Sequence, residues 1–181
     1  MKALALLAAC VVVSLLSGCG GRMVWTTPEL DDAAALHATS SYHVMPVKYD
    51  FERPADWEIS DRDWPQKCAE WSAALGDTAR NARNKPVYVV GPNSEPKDGA
   101  IVQFTVTQMR LGTYAFMFAE AGRIQGVMTV TDAASGKVIF KGSVDAPGTT
   151  EGNDRFSYEG RMKVAHWRVG DDIAWLIRRE P

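Results

Sequence analysis

Beyond residue 41 the hydrophobic pattern changes period in a set order, and that order leaves few folds open. Tyr42 to Tyr49 reads as a strand, with Val44 and Val47 apolar and Pro46 marking an edge position or a bulge. Residues 50 to 63 form an acidic loop. Trp64, Cys68, Trp71, Leu75, Thr78 and Ala82 then recur at the spacing of one amphipathic helix, with Asp63 or Trp64 as cap, Pro65 in the first turn and Pro86 as the stop. Strand patterns follow over Pro86–Gly91, Ala100–Leu111, Gln125–Asp132 and Lys137–Val144. The last two join through a hairpin whose Gly136 suits a positive φ. A second helical stripe, Tyr158, Met162, Ala165, Val169, Ile173 and Leu176, closes the chain between about Asp154 and Arg179, with Gly170 as a candidate bend.

A strand-helix-strand unit needs a crossover, so its two strands are expected to be parallel. The later strands read as a meander. The expected fold class is α+β: a mixed, mostly antiparallel sheet of about five strands with two amphipathic helices packed on one face.

The N-terminus carries a different signal. Lys2 is a positive n-region, Ala3 to Leu16 an almost unbroken apolar stretch, and Ser17-Gly18 a small-residue cleavage site. The apolar run is short for a membrane span. Leu16-Ser17-Gly18-Cys19 resembles a lipobox, which implies cleavage before Cys19 and acylation of that residue; the neutral Gly20 favours the outer membrane. The expected organisation is therefore a signal peptide over 1–18, the lipidated cysteine and a tether over 19–41, and one α+β domain over 42–181. Within the tether, Thr27-Pro28-Glu29 reads as the start of a short helix.

Charge and cysteine content narrow the partners. The net charge of −2, with no basic block, argues against nucleic acid. Of three cysteines, Cys10 leaves with the signal and Cys19 carries lipid, so Cys68 stands without an intramolecular disulfide partner. The core must hold the fold unaided.

The lipobox, the "PVYVVG" segment, the long strand with its glycine turns and Val130-Thr-Asp-Ala-Ala-Ser-Gly-Lys-Val-Ile139 resemble a group of small bacterial envelope lipoproteins. The group includes domains of unknown function and is distantly similar to curli-secretion and penicillin-binding-protein-activator auxiliary lipoproteins. The resemblance covers roughly residues 42 to 179. It implies a non-enzymatic assembly or accessory role.

Few residues point to chemistry. Cys68 and His166 lie on inward helical stripes and could form a thiolate pair, though both also suit a core. His37, His43 and His166 do not fall at zinc spacings, and Asp145, Glu151, Asn153 and Asp154 lack the ordered spacing of a calcium loop. No cofactor motif is present, and no catalytic residue or metal ligand is assigned. The candidate partner surface is Trp167 and Trp175, on the outer side of the last helix, unless Trp25 or Trp57 folds over them. The expected partners are the membrane, through the anchor, and another envelope protein. The alternatives are a small-ligand or lipid carrier lined by Phe104, Phe116, Phe118, Met128 and Phe140, and a thiol hydrolase using Cys68 and His166.

Overall fold

The computed structural model describes residues 24–115 and 118–179. The expected signal peptide, the expected lipidation site Cys19, and Phe116 lie outside the described residues. The elements in chain order are β1 (Trp25–Asp31), α1 (Ala33–Ala38), β2 (Tyr42–Val44), β3 (Lys48–Tyr49), α2 (Trp64–Ala79), β4 (Val87–Val89), β5 (Ala100–Arg110), β6 (Tyr114–Ala115), β7 (Phe118–Ala119), β8 (Arg123–Asp132), β9 (Val138–Pro147), a 3₁₀ turn (Asn153–Phe156) and α3 (Tyr158–Arg178). Among the described residues no helix is long and apolar enough to cross a membrane.

The main sheet has seven strands in the order β1-β9-β8-β5-β2-β4, with β3 also paired to β5. Five strands were expected from the sequence, and the additions have clear causes. Pro46 breaks the 42–49 segment into β2 and β3, both parallel to β5. The other addition is β1: the Thr27-Pro28-Glu29 helix start is instead a strand, antiparallel to β9, with Pro28 opposite Gly142 and an irregularity before Leu30. Proline is tolerated there because β1 is an edge strand and the ladder has no donor to lose on its outer side. The expected crossover does hold, with β2 parallel to β4 on either side of α2.

Alternation sets the buried face. In β5, Ala100, Val102, Phe104 and Val106 point inward while Gln103 and Thr105 point out. Ile124, Met128 and Val130 of β8 continue that face. Both long helices cover it. On α3, Met162, Ala165, Val169 and Ile173 are wholly buried, as the stripe requires. Met162, Val169 and Ile173 each contribute about 1.5–3 kcal/mol by leaving water. α2 presents Trp71 and Leu75 to α3 and the sheet.

Gly170 does not end α3, which runs through it unbroken from Tyr158 to Arg178. It marks a close approach of the two helices, because a Cβ there would meet the Leu75 carbonyl and come within 2.9 Å of the Thr78 Cβ. α3 also starts later than the pattern suggests. Ser157 caps it, its hydroxyl accepting from the Gly160 amide at 3.0 Å, and the residues before it form the 3₁₀ turn.

Candidate functional site

Two regions of the molecule concentrate chemistry-bearing side chains. The first lies between β3, α2 and α3. Trp71 stacks on His166 at 5.7 Å with 16° between the rings, and Trp64, Phe51 and Trp57 extend the aromatic cluster outward. His166 is fully buried. Its Nδ1 lies 2.8 Å from the Met162 carbonyl, a group that can only accept, so Nδ1 carries the proton. Nε2 is then the acceptor for the Tyr49 hydroxyl at 3.0 Å. Both ring nitrogens are therefore engaged with groups other than Cys68. Burial lowers the His166 pKa to about 4 and keeps the ring neutral, while burial pushes the Cys68 thiol up to about 12. A nucleophilic cysteine needs the opposite shift and a base free to take its proton. The sequence brings Cys68 and His166 into one neighbourhood, as their stripes imply, but the geometry there is that of a satisfied core.

The second region is the outer side of α3. Trp167 is 51% exposed and Trp175 41% exposed, although both are large apolar residues. Helical geometry turns Trp175 by about 80° from Trp167, so the two flank Asp171 rather than stack. Trp167 looks toward α2 and lines an open groove of about 550 Å³ with Ala74, Asp77, Asp154 and Lys163. The groove continues along the helices past Glu70 and Glu159. Trp175 looks the other way, toward β1, where it lines a pocket of about 200 Å³ with Thr26, Pro28, Phe140 and Arg179. The Arg179 guanidinium lies 5.8 Å from the Trp175 ring centre. Trp57 does not cover this face; it packs 6.0 Å from Trp64 in the other cluster.

The remaining candidates are placed as follows. Phe104 and Met128 are buried side chains of the continuous core, and Phe140 borders the small pocket beside Trp175. Asp145 sits on β9, paired with Arg123 at 3.3 Å and accepting from Gln125 at 2.9 Å. Asp154 sits on the α2–α3 groove. His43 stacks on Tyr88 at 5.3 Å, and His37 is in the last turn of α1.

Sequence reasoning missed two buried charges, Arg161 and Asp172, each only 4% exposed. Arg161 donates to the carbonyls of Leu111 (2.9 Å), Gly112 (3.1 Å) and Arg155 (2.6 Å), tying two loops to the start of α3. Burial holds its pKa below the usual guanidinium value. Asp172 accepts from the Thr26 hydroxyl and so ties β1 to α3. A signal was present, since both residues fall on the inner stripe, where a charge must find partners.

No family model matches this chain and no curated protein matches it. Among solved structures it is similar to the PelC dodecamer of Paraburkholderia phytofirmans, at 11% identity and a TM-score of 0.49, over 83% of this chain and 97% of that one. It is similar to protein XCC0632 (DUF330) of Xanthomonas campestris, at 10% identity and a TM-score of 0.47, over 82% of this chain and 87% of that one. It is also similar to lipoprotein GNA1162 of Neisseria meningitidis, at 16% identity and a TM-score of 0.38, over 63% of this chain and 87% of that one. Likeness of this degree establishes neither a family nor a function. None of the three bears a curli-secretion or penicillin-binding-protein-activator name.

Proposed function

We propose that this protein is a lipid-anchored lipoprotein of the outer membrane that acts without turnover, holding another envelope protein against the outer side of α3. The observation that carries the reading is the exposure of Trp167 and Trp175 on one helix, 51% and 41%, whereas Trp57 and Trp64 are partly buried and Trp71 is buried. Exposed tryptophan is costly to leave in water and is the residue type that most often anchors a protein interface. The groove beside Trp167 gives such an anchor a complementary shape. A partner would place an apolar side chain against Trp167 and a cationic one toward Asp77 and Asp154, which line the same groove. Acylation of Cys19 would confine the domain to the membrane plane and raise its effective concentration near membrane partners.

The test is chemical cross-linking of the anchored protein in its own membrane, with Trp167→Ala/Trp175→Ala beside the native chain. A specific partner lost in the variant, with the melting transition little changed, supports the reading. A partner retained at full yield in the variant sinks it. Independently, Cys19→Ser must release the protein from the membrane fraction.

A further inference from the structure

Cys19 stands five residues before Val24, so even a fully extended chain puts the Cys19 Cα no more than about 18 Å from that of Val24. Val24 is buried, and β1 begins at once with Trp25 opposite Asp145. Asp145 pairs with Gln125, and Gln125 with Gln108, so a single row runs from the start of β1 across β9 and β8 to the end of β5. Three strand spacings, about 14 Å, cover that row. Just past it β5 ends at Arg110, and the chain returns to β8 at Arg123 through the small β6–β7 hairpin. The start of β1, five residues after Cys19, and the hairpin thus share one end of the sheet.

This end is aromatic and firmly based. Tyr114 is 39% exposed and packs edge-on against Phe156, itself 51% exposed, at 4.9 Å. The Arg155 guanidinium lies 4.7 Å from the Phe156 ring. Residues 113–119 carry no charged side chain. The hairpin base is held by Arg161 on the Leu111 and Gly112 carbonyls, and by the Glu120 amide donating to Thr113 at 2.8 Å. Gly112 adopts φ +70°, where any side chain would also run into the backbone of residues 120–122.

Resting on the anchored reading above, we propose that this end of the domain is a second membrane contact, with Tyr114 and Phe156 seated in the lipid interface beside Cys19 and Arg155 facing lipid phosphates. A tyrosine ring, apolar in body and polar at its tip, suits that layer, and a guanidinium suits anionic headgroups. The short tether selects the bilayer as the occupant, since inserting the lipid brings the membrane to these rings. Two contacts instead of one fix the orientation of the domain and hence the direction in which the α3 face is presented.

The test uses the lipidated full chain with Cys68→Ser, reconstituted in vesicles of phosphatidylethanolamine and phosphatidylglycerol. Nitroxides are attached at Tyr114→Cys, or at Ala134→Cys in the exposed hairpin at the opposite end of β8. Flotation is scored first, then collision of each label with oxygen and with an aqueous nickel complex. The expected result is loss of nickel collisions and gain of oxygen collisions at 114, with 134 fully aqueous. A floating protein whose two labels are equally aqueous refutes the second contact and leaves the anchor standing. Shielding at 114 from both reagents means a protein surface covers it, which also overturns the proposal. A protein that does not float removes the anchor, and the contact falls with it.

Discussion

His166 makes the stability of this domain depend on pH between the ordinary histidine value and about 4. Its folded pKa is lowered from 6.5 to about 4, chiefly because burial disfavours the charged ring. The folded protein therefore binds this proton more weakly than the unfolded chain does. The stabilisation is fully present above pH 6.5, is lost progressively as pH falls to about 4, and changes no further below that. At about 1.4 kcal/mol for each tenfold change in proton affinity, the whole drop corresponds to about 3 kcal/mol, a large share of the ~5–15 kcal/mol that holds a domain together. The perturbation is His166→Gln, which keeps a polar group toward Tyr49 but does not titrate. Urea unfolding at pH 7, 5.5 and 4.5 is the assay. At pH 7 the variant should be weaker by about 1–3 kcal/mol, because the hydrogen bonds to Met162 and Tyr49 are disturbed. The gap should then narrow toward pH 4.5, where the native protein has lost most of the histidine contribution. Carboxylates such as Asp132 titrate in both proteins and cancel in the comparison. Parallel pH curves, or a His166 ring that titrates near 6.5, would refute the buried, neutral, doubly engaged histidine.

The other expectations concern the helices and the thiol. Trp71→Ala should cost about 3–5 kcal/mol as a core truncation, while Trp167→Ala should cost no more than about 2 kcal/mol because half its ring is already in water; equal losses in thermal melts would place Trp167 in the core. Gly170→Ala should lower the melting temperature, since overpacking against Leu75 and Thr78 costs about 1–3 kcal/mol and outweighs the ~1 kcal/mol gain in helix propensity; a higher melting temperature would mean that α2 and α3 can part. Cys68 should alkylate far more slowly at pH 8 than a free thiol does, and a rate at or above that of glutathione would restore the case for an activated cysteine.

The period of the hydrophobic pattern carried most of the fold. The stripes at Trp71–Leu75 and Met162–Ile173 and the alternation along β5 and β8 could be read directly, because each depends only on which side of one element faces away from water. The parallel β2–β4 pair followed from the crossover between them. The outward face of Trp167 and Trp175 was legible for the same reason: helical phase alone separates it from the buried stripe. The charges at 161 and 172 were visible on that stripe, yet nothing local names the Leu111 and Gly112 carbonyls or the Thr26 hydroxyl that satisfy them.

Where local signals were ambiguous, only distant contacts chose between the options. Pro28 suits the first turn of a helix and an edge strand equally well, and pairing with β9, more than a hundred residues away, makes it a strand. Gly170 gives no local sign of a close approach, and only the Leu75 carbonyl on the neighbouring helix reveals one. Cys68 and His166 suit a reactive pair or a core, and Tyr49, reaching from β3 to take up Nε2, makes it a core. Sequence by itself determined which faces are apolar, because that follows from the order of residues along one element. What each face meets was decided by the tertiary structure, because hydrogen-bond partners and close contacts are supplied by segments that no local pattern brings together.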